Sequence, residues 1–123
     1  MKNGSIQLMD IELEHILWKK RLDLFVSEVN LMISHNQKLP EERKKDALNS
    51  IELLALEEHK DNLIKLKSRI DIKEQELKFY NKDFPITEDH EYLKDHLELR
   101  QKNHQLLDIH LDRIRDIIKE IGV

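Results

Sequence analysis

Residues 8–32 read LMDIELEHILWKKRLDLFVSEVNLM. Taken from Leu8, the residues Ile11, His15, Trp18, Leu22, Phe25, Val29 and Met32 follow at alternating steps of three and four. That is a heptad seam held for more than three repeats, which only a helix can place on one face. One of its eight members is a histidine.

The punctuation around this stretch is sparse. Glycine occurs only at positions 4 and 122, and proline only at 40 and 85. Used as boundaries, these residues divide the chain into three long segments. Ser5 is placed to cap the first. In HNQKLPEE (35–42), Pro40 suits the first turn of a second helix, and Glu41 and Glu42 suit its positive end. The second segment has a less regular seam: Leu48, Ile51, Ala55, His59, Asn62 or Leu63, Leu66, Ile70, Lys73, Leu77 and Tyr80. Leu53, Leu56 and Leu63 form a second row, so this helix is expected to touch two neighbours. Its polar middle, EEHKDN (57–62), contains no helix breaker, so one continuous helix is expected. In the third segment Thr87 is the expected cap. The seam there reads His90, Leu93, Leu97, Arg100, His104, Leu107, Leu111, Ile114, Ile118 and Ile121. A flanking row holds Tyr92, His96, Leu99, Asn103, Leu106, His110 and Ile117.

Short turns make successive helices antiparallel neighbours. The expected fold is all-α: an up-down-up bundle of three long helices, about 6–36, 41–81 and 88–121, with coiled-coil-like packing. Residues 1–123 form one domain on this reading. Charged residues make up 37% of the chain and hydrophobic ones 39%, so the core is narrow and the apolar stripes are thin.

Composition also removes several function classes. The net charge of −4, with lysines interleaved among acids, argues against nucleic acid as a partner. No apolar run reaches membrane-spanning length, and the N-terminus has no leader-like core, so a soluble cytoplasmic protein is expected. With no cysteine there is no thiol chemistry. Phosphate-binding loops need glycines between strand and helix, and serines 27, 34, 50 and 68 fall on helices with no histidine three or four residues away, the distance of helical reach. A catalytic site is not expected.

The seven histidines need a closer reading. No two stand three or four apart, the spacing at which one helix shares a metal ion. His90 and His104 are fourteen apart, as are His96 and His110, and fourteen residues span roughly 21 Å of helix. Level-matching about turns near 39 and 84 sets position i of the first helix opposite roughly 78 − i of the second. Position j of the second then lies opposite roughly 168 − j of the third. His15, Asn62 and His104 fall in one layer, with Glu12, His59 and Asp108 within about a turn. One reading is a buried polar layer of His15, Asn62 and His104 that fixes register. Another is a divalent metal site, such as zinc, held by His15, His104 and one of Glu12, His59 or Asp108. Protonation of buried imidazoles between pH 5 and 7 is a third use of the same layer.

The same matching makes the second and third helices overhang the first. That overhang carries Leu77, Phe79, Tyr80, Phe84, Ile86, Tyr92 and Leu93, an aromatic cluster of the kind that docks proteins. Alternatively the turn folds back, or residues 1–7 cover it. A structural or protein-interaction module, with the partner a protein and possibly a second copy, is the function expected; a metal-binding or pH-responsive bundle is the alternative.

Overall fold

The computed structural model describes residues 5–6, 8–80, 86–87 and 90–120. Three long helices pack against one another: α1 (Leu8–Gln37), α2 (Ser50–Leu77) and α3 (Glu91–Glu120). A 3-10 turn, Glu41–Asp46, lies between α1 and α2. Ahead of α1 and α3 run two-residue strands β1 (Ser5–Ile6) and β2 (Ile86–Thr87). They pair antiparallel, with Ser5 opposite Thr87 and Ile6 opposite Ile86.

The all-α, up-down-up bundle is the observed architecture. Cross-helix ion pairs show the directions. Lys19 reaches Asp71, and Lys67 reaches Asp23 at 2.6 Å, so α1 and α2 run antiparallel. Lys73 meets Asp95 at 3.2 Å and His59 meets His110, so α2 and α3 do as well. Glu14 meets His96 and Glu28 meets His110, so α1 and α3 are parallel.

The α1 seam is buried as its spacing requires: Leu8, Ile11, His15, Trp18, Leu22, Phe25 and Val29 all face inward. Together with Leu56, Leu63, Leu66, Ile70 and Leu99 its central members form the main core. The polar stretch 57–62 is helical throughout, and its one inward residue is His59.

The start of the second helix differs from expectation. Residues 41–46 form a 3-10 turn, Ala47 is extended, and α2 begins only at Ser50. The cause is local. Asn49 and Glu52 make a reciprocal capping box: the Asn49 side chain accepts from Glu52 N at 2.8 Å, and Glu52 Oε1 accepts from Asn49 N at 3.0 Å. That motif starts a helix more strongly than Pro40 does. The linker is tied down where Leu48 N donates to Asn36 Oδ1 at 2.8 Å, and Leu39 is buried. Helix α3 also starts late. His90, not Thr87, caps it: its Nδ1 accepts from Tyr92 N at 3.0 Å.

These twelve linker residues shift the register. The turn midpoint lies near 45 rather than 39, so α1 slides about three turns along α2. The overhang therefore does not exist. Leu8 and Ile11 pack with Leu77, Tyr92 and Leu93 in a second core, with Tyr80 against it. Phe79 is 90% exposed, alone among the described side chains of this group. Phe84 and the side chain of Ile86 lie outside the described residues.

Candidate functional site

The inward face of α3 is the flanking row, not the more apolar one. Tyr92, His96, Leu99, Asn103 and His110 are buried, whereas Leu97, His104 and Leu111 are exposed. Tyr92, His96 and His110 are bound there by partners on α1 and α2, and Asn103 donates to Leu99 O of α3 itself.

Two histidine rungs cross the bundle, both built on the same |i−j| of 82 between α1 and α3. In the first, His96 Nε2 lies 2.8 Å from Glu14 Oε1. A carboxylate only accepts, so Nε2 donates and Nδ1 carries the lone pair. Arg100 closes on the same carboxylate, its Nε donating to Oε2 at 2.8 Å and its Nη2 to Oε1 at 2.5 Å. Trp18 stacks on the His96 ring at 4.8 Å, and His15 lies 5.2 Å from it. Burial pushes the Glu14 carboxyl up, but the Arg100 and His96 hydrogen bonds outweigh it and hold it below the ordinary range. Both ring nitrogens of His15 and Nδ1 of His96 are buried with no hydrogen-bond partner among the described residues.

The second rung joins all three helices. His110 Nε2 lies 2.8 Å from Glu28 Oε1, and His110 Nδ1 lies 2.9 Å from His59 Nε2. Glu28 can only accept, so His110 donates through Nε2; in that tautomer its Nδ1 accepts, and His59 donates through Nε2. The chain is directional: His59 to His110 to Glu28. Phe25 stacks on His110 at 4.0 Å. His59 Nδ1 is left buried and unpartnered among the described residues.

Burial dominates the proton affinities. It lowers His15 to about 4, with the charge that His96 takes up in acid second, and lowers His59 to about 4, with His110 and Arg113 adding. His96 is also lowered, because burial outweighs the pull of Glu14. These imidazoles are thus neutral at pH 7. The rungs can hold a fixed tautomer and take up protons in acid.

The predicted layer is not assembled. His15 is inward, but Asn62, His104 and Asp108 are exposed. Two displacements account for this: the slide of α1 brings His15 level with His96, and α3 turns its flanking row inward, so His110 rather than His104 meets His59. Glu12 is half-buried on α1. Among the described residues no three His, Asp or Glu side chains stand close enough to share a metal ion. The partners missed from sequence, Glu14, Glu28, His96 and His110, did leave a signal. Glu14 and Glu28 are fourteen apart, and so are His96 and His110. Equal spacing on two parallel helices generates two equivalent rungs two heptads apart.

A second feature lies outside the rungs. Leu17, Leu24 and Leu31 repeat every seven residues on α1 and are 51%, 55% and 68% exposed. On a helical wheel this stripe lies just beyond Glu14 and Glu28, on the side toward α3. On α3, Leu97, Leu111 and Ile118 stay 43%, 46% and 44% exposed, just beyond Arg100. The two parallel stripes flank one face, with half-buried Leu107 and Ile114 between them. No helix among the described residues is long and apolar enough to cross a membrane. Compared with known families, characterised proteins and solved structures, the chain matches none.

Proposed function

We propose that the chain is a non-catalytic protein-interaction module that presents the α1–α3 face to a protein partner. The observation that carries the reading is the uncovered heptad of Leu17, Leu24 and Leu31 beside the uncovered stripe of α3. Heptad repeats of leucine seat against another helix, and exposed apolar faces of this extent mark interaction sites. The overhang is no longer part of this reading, since Leu77, Tyr92 and Leu93 are core residues. A photo-reactive residue replacing Leu24 in the producing cells tests it against one replacing Ile64, which is 45% exposed on α2. Adducts concentrated at position 24 support the reading; equal labelling, or none at 24, refutes it.

A second reading, a pH-responsive bundle, is favoured by the buried neutral histidines His15, His59 and His96. Acid would charge them and loosen α3 from the other helices, as in other histidine-based switches. The two readings are compatible, since both rungs lie beneath the α1–α3 face. A metal-binding role has less support, because the proposed ligands His15 and His104 are on opposite sides of the surface of burial.

A further inference from the structure

We propose that the occupant of the α1–α3 face is a second copy of this chain. It docks antiparallel about a two-fold axis running across the face from Leu24 on α1 to Leu107 on α3. The proposal rests on the interaction reading above and names its partner.

The first support is the symmetry of the pattern. A two-fold interface uses the same patch on both copies, so the patch must map onto itself when turned end for end. On α1, Leu17 and Leu31 stand seven residues either side of Leu24. Turned about Leu24, each of the two falls on the other and Leu24 falls on itself. The rungs give the level of α3: Glu14 meets His96 at |i−j| of 82 and Arg100 at 86. Leu24 is therefore level with residues 106–110. On α3, Leu97 and Ile118 are equally distant from a point between residues 107 and 108, as are His104 and Leu111. Both helices thus have their own centre of symmetry at one height. A foreign helix would require no such coincidence.

The second support is charge. Arg21 and Glu28 lie seven apart on the α3-facing edge of the leucine stripe, centred almost on Leu24. The same rotation brings Arg21 of each copy level with Glu28 of the other. Among the described residues His110 engages Oε1 of Glu28, and the second oxygen can take this contact. One acid is opposed to itself: Asp108 lies at the axis on the outer edge of α3 and meets its own copy.

The third support is area. The six exposed leucine and isoleucine side chains leave on the order of 500 Å² of apolar surface, near the upper end for a monomer's largest patch. A standard interface buries about 800 Å² per partner. The aliphatic stems of Arg21, Lys20 and Arg115 along the edges supply much of the difference.

The chain has no cysteine, which makes single-cysteine variants clean reporters. The experiment compares Leu24→Cys, Leu17→Cys and Leu31→Cys of the full chain under mild oxidation, with light scattering of the unmodified chain. Leu24→Cys is expected to form a covalent dimer at least tenfold faster than either other variant alone. A mixture of Leu17→Cys with Leu31→Cys is expected to match it. Asp108→Asn is expected to tighten the dimer several-fold, and Leu24→Glu to give a monomer with unchanged helicity. A strictly monomeric chain at about 100 μM, or equal oxidation rates at 17, 24 and 31, overturns the proposal. A monomer that still gives adducts to another protein through position 24 overturns the second copy alone. Absence of adducts in cells as well removes the interaction reading with it.

Discussion

Lowering the pH from 7.5 to 5.0 should destabilise the bundle through His15 and His59. Each has an unfolded-state value near 6.5 and a folded value of about 4. A folded value below the unfolded one means that the unfolded chain binds protons first. The associated stability is complete above pH 6.5 and is lost as pH falls toward 4. At pH 5.0 the unfolded imidazole is almost wholly charged and the folded one about a tenth charged. The difference is about 2 kcal/mol per histidine, so the pair costs about 4 kcal/mol. His96 adds in the same direction. Glu14 does not contribute in this window, because its lowered carboxyl loses stability only below about pH 4.5. Coupling of His15 to His96 and of His59 to His110 makes the sum less than strictly additive. For a chain of this length, 4 kcal/mol corresponds to a fall in Tm of about 15 °C. Urea unfolding at half-unit pH steps measures the loss. Far-UV circular dichroism reports the helices, and the single tryptophan, Trp18, reports the stack on His96. His15→Leu is the decisive variant. His15 is fully buried with no hydrogen-bond partner among the described residues, so the variant's stability at pH 7.5 should be unchanged or higher by about 1 kcal/mol. Its loss between pH 7.5 and 5.0 should fall by about half. A wild-type chain whose stability is flat over this range, or a His15→Leu chain with the full wild-type loss, refutes the reasoning.

Three further outcomes follow from the packing. Glu14→Gln keeps an acceptor but removes the charge beside His96 and Arg100; it should cost about 1–2 kcal/mol at pH 7.5 by urea unfolding. No loss would mean that the Arg100 clamp is not formed in solution. Asn49→Ala removes the capping box of α2 and should cost about 1 kcal/mol, whereas Pro40→Ala should change little, by thermal melts of both. Leu63→Ala should cost about 2–5 kcal/mol, since Leu63 is 0% exposed in the main core. Ile51→Ala should fall within about 0.5 kcal/mol, since Ile51 is 78% exposed; comparable losses would place α2 in a different rotation.

Much of the fold was legible because local rules point one way along α1. Leu8 to Val29 repeat at 3-4 spacing with no glycine or proline between them, and every one of them is buried. The continuity of α2 through 57–62 was legible for the same reason. The capping pair Asn49 and Glu52 is also present in the sequence, but a start placed at Pro40 passes over it. That one choice displaced α1 against α2 and created the supposed overhang; together with the outward face of α3 it also created the supposed His15–Asn62–His104 layer. The match of α2 to α3 was sound: His59 meets His110 and Lys73 meets Asp95, as turning near 84 requires.

The sequence by itself determined that three amphipathic helices form, where their apolar residues recur, and that short links fold them back on one another. Those properties depend on spacing along one chain. Only the tertiary structure decided which face of α3 turns inward. The stripe through Leu97, Leu111 and Ile118 is the more apolar, yet the stripe through His96, Asn103 and His110 is the one buried. On transfer alone the leucine stripe would go inside. Glu14, Glu28 and His59, from two other helices, supply the hydrogen bonds that offset the cost of burying imidazoles. Those partners lie 51 to 82 residues away, and no window of local sequence contains them. The same choice leaves the leucines of α1 and α3 outside, where a second chain can reach them.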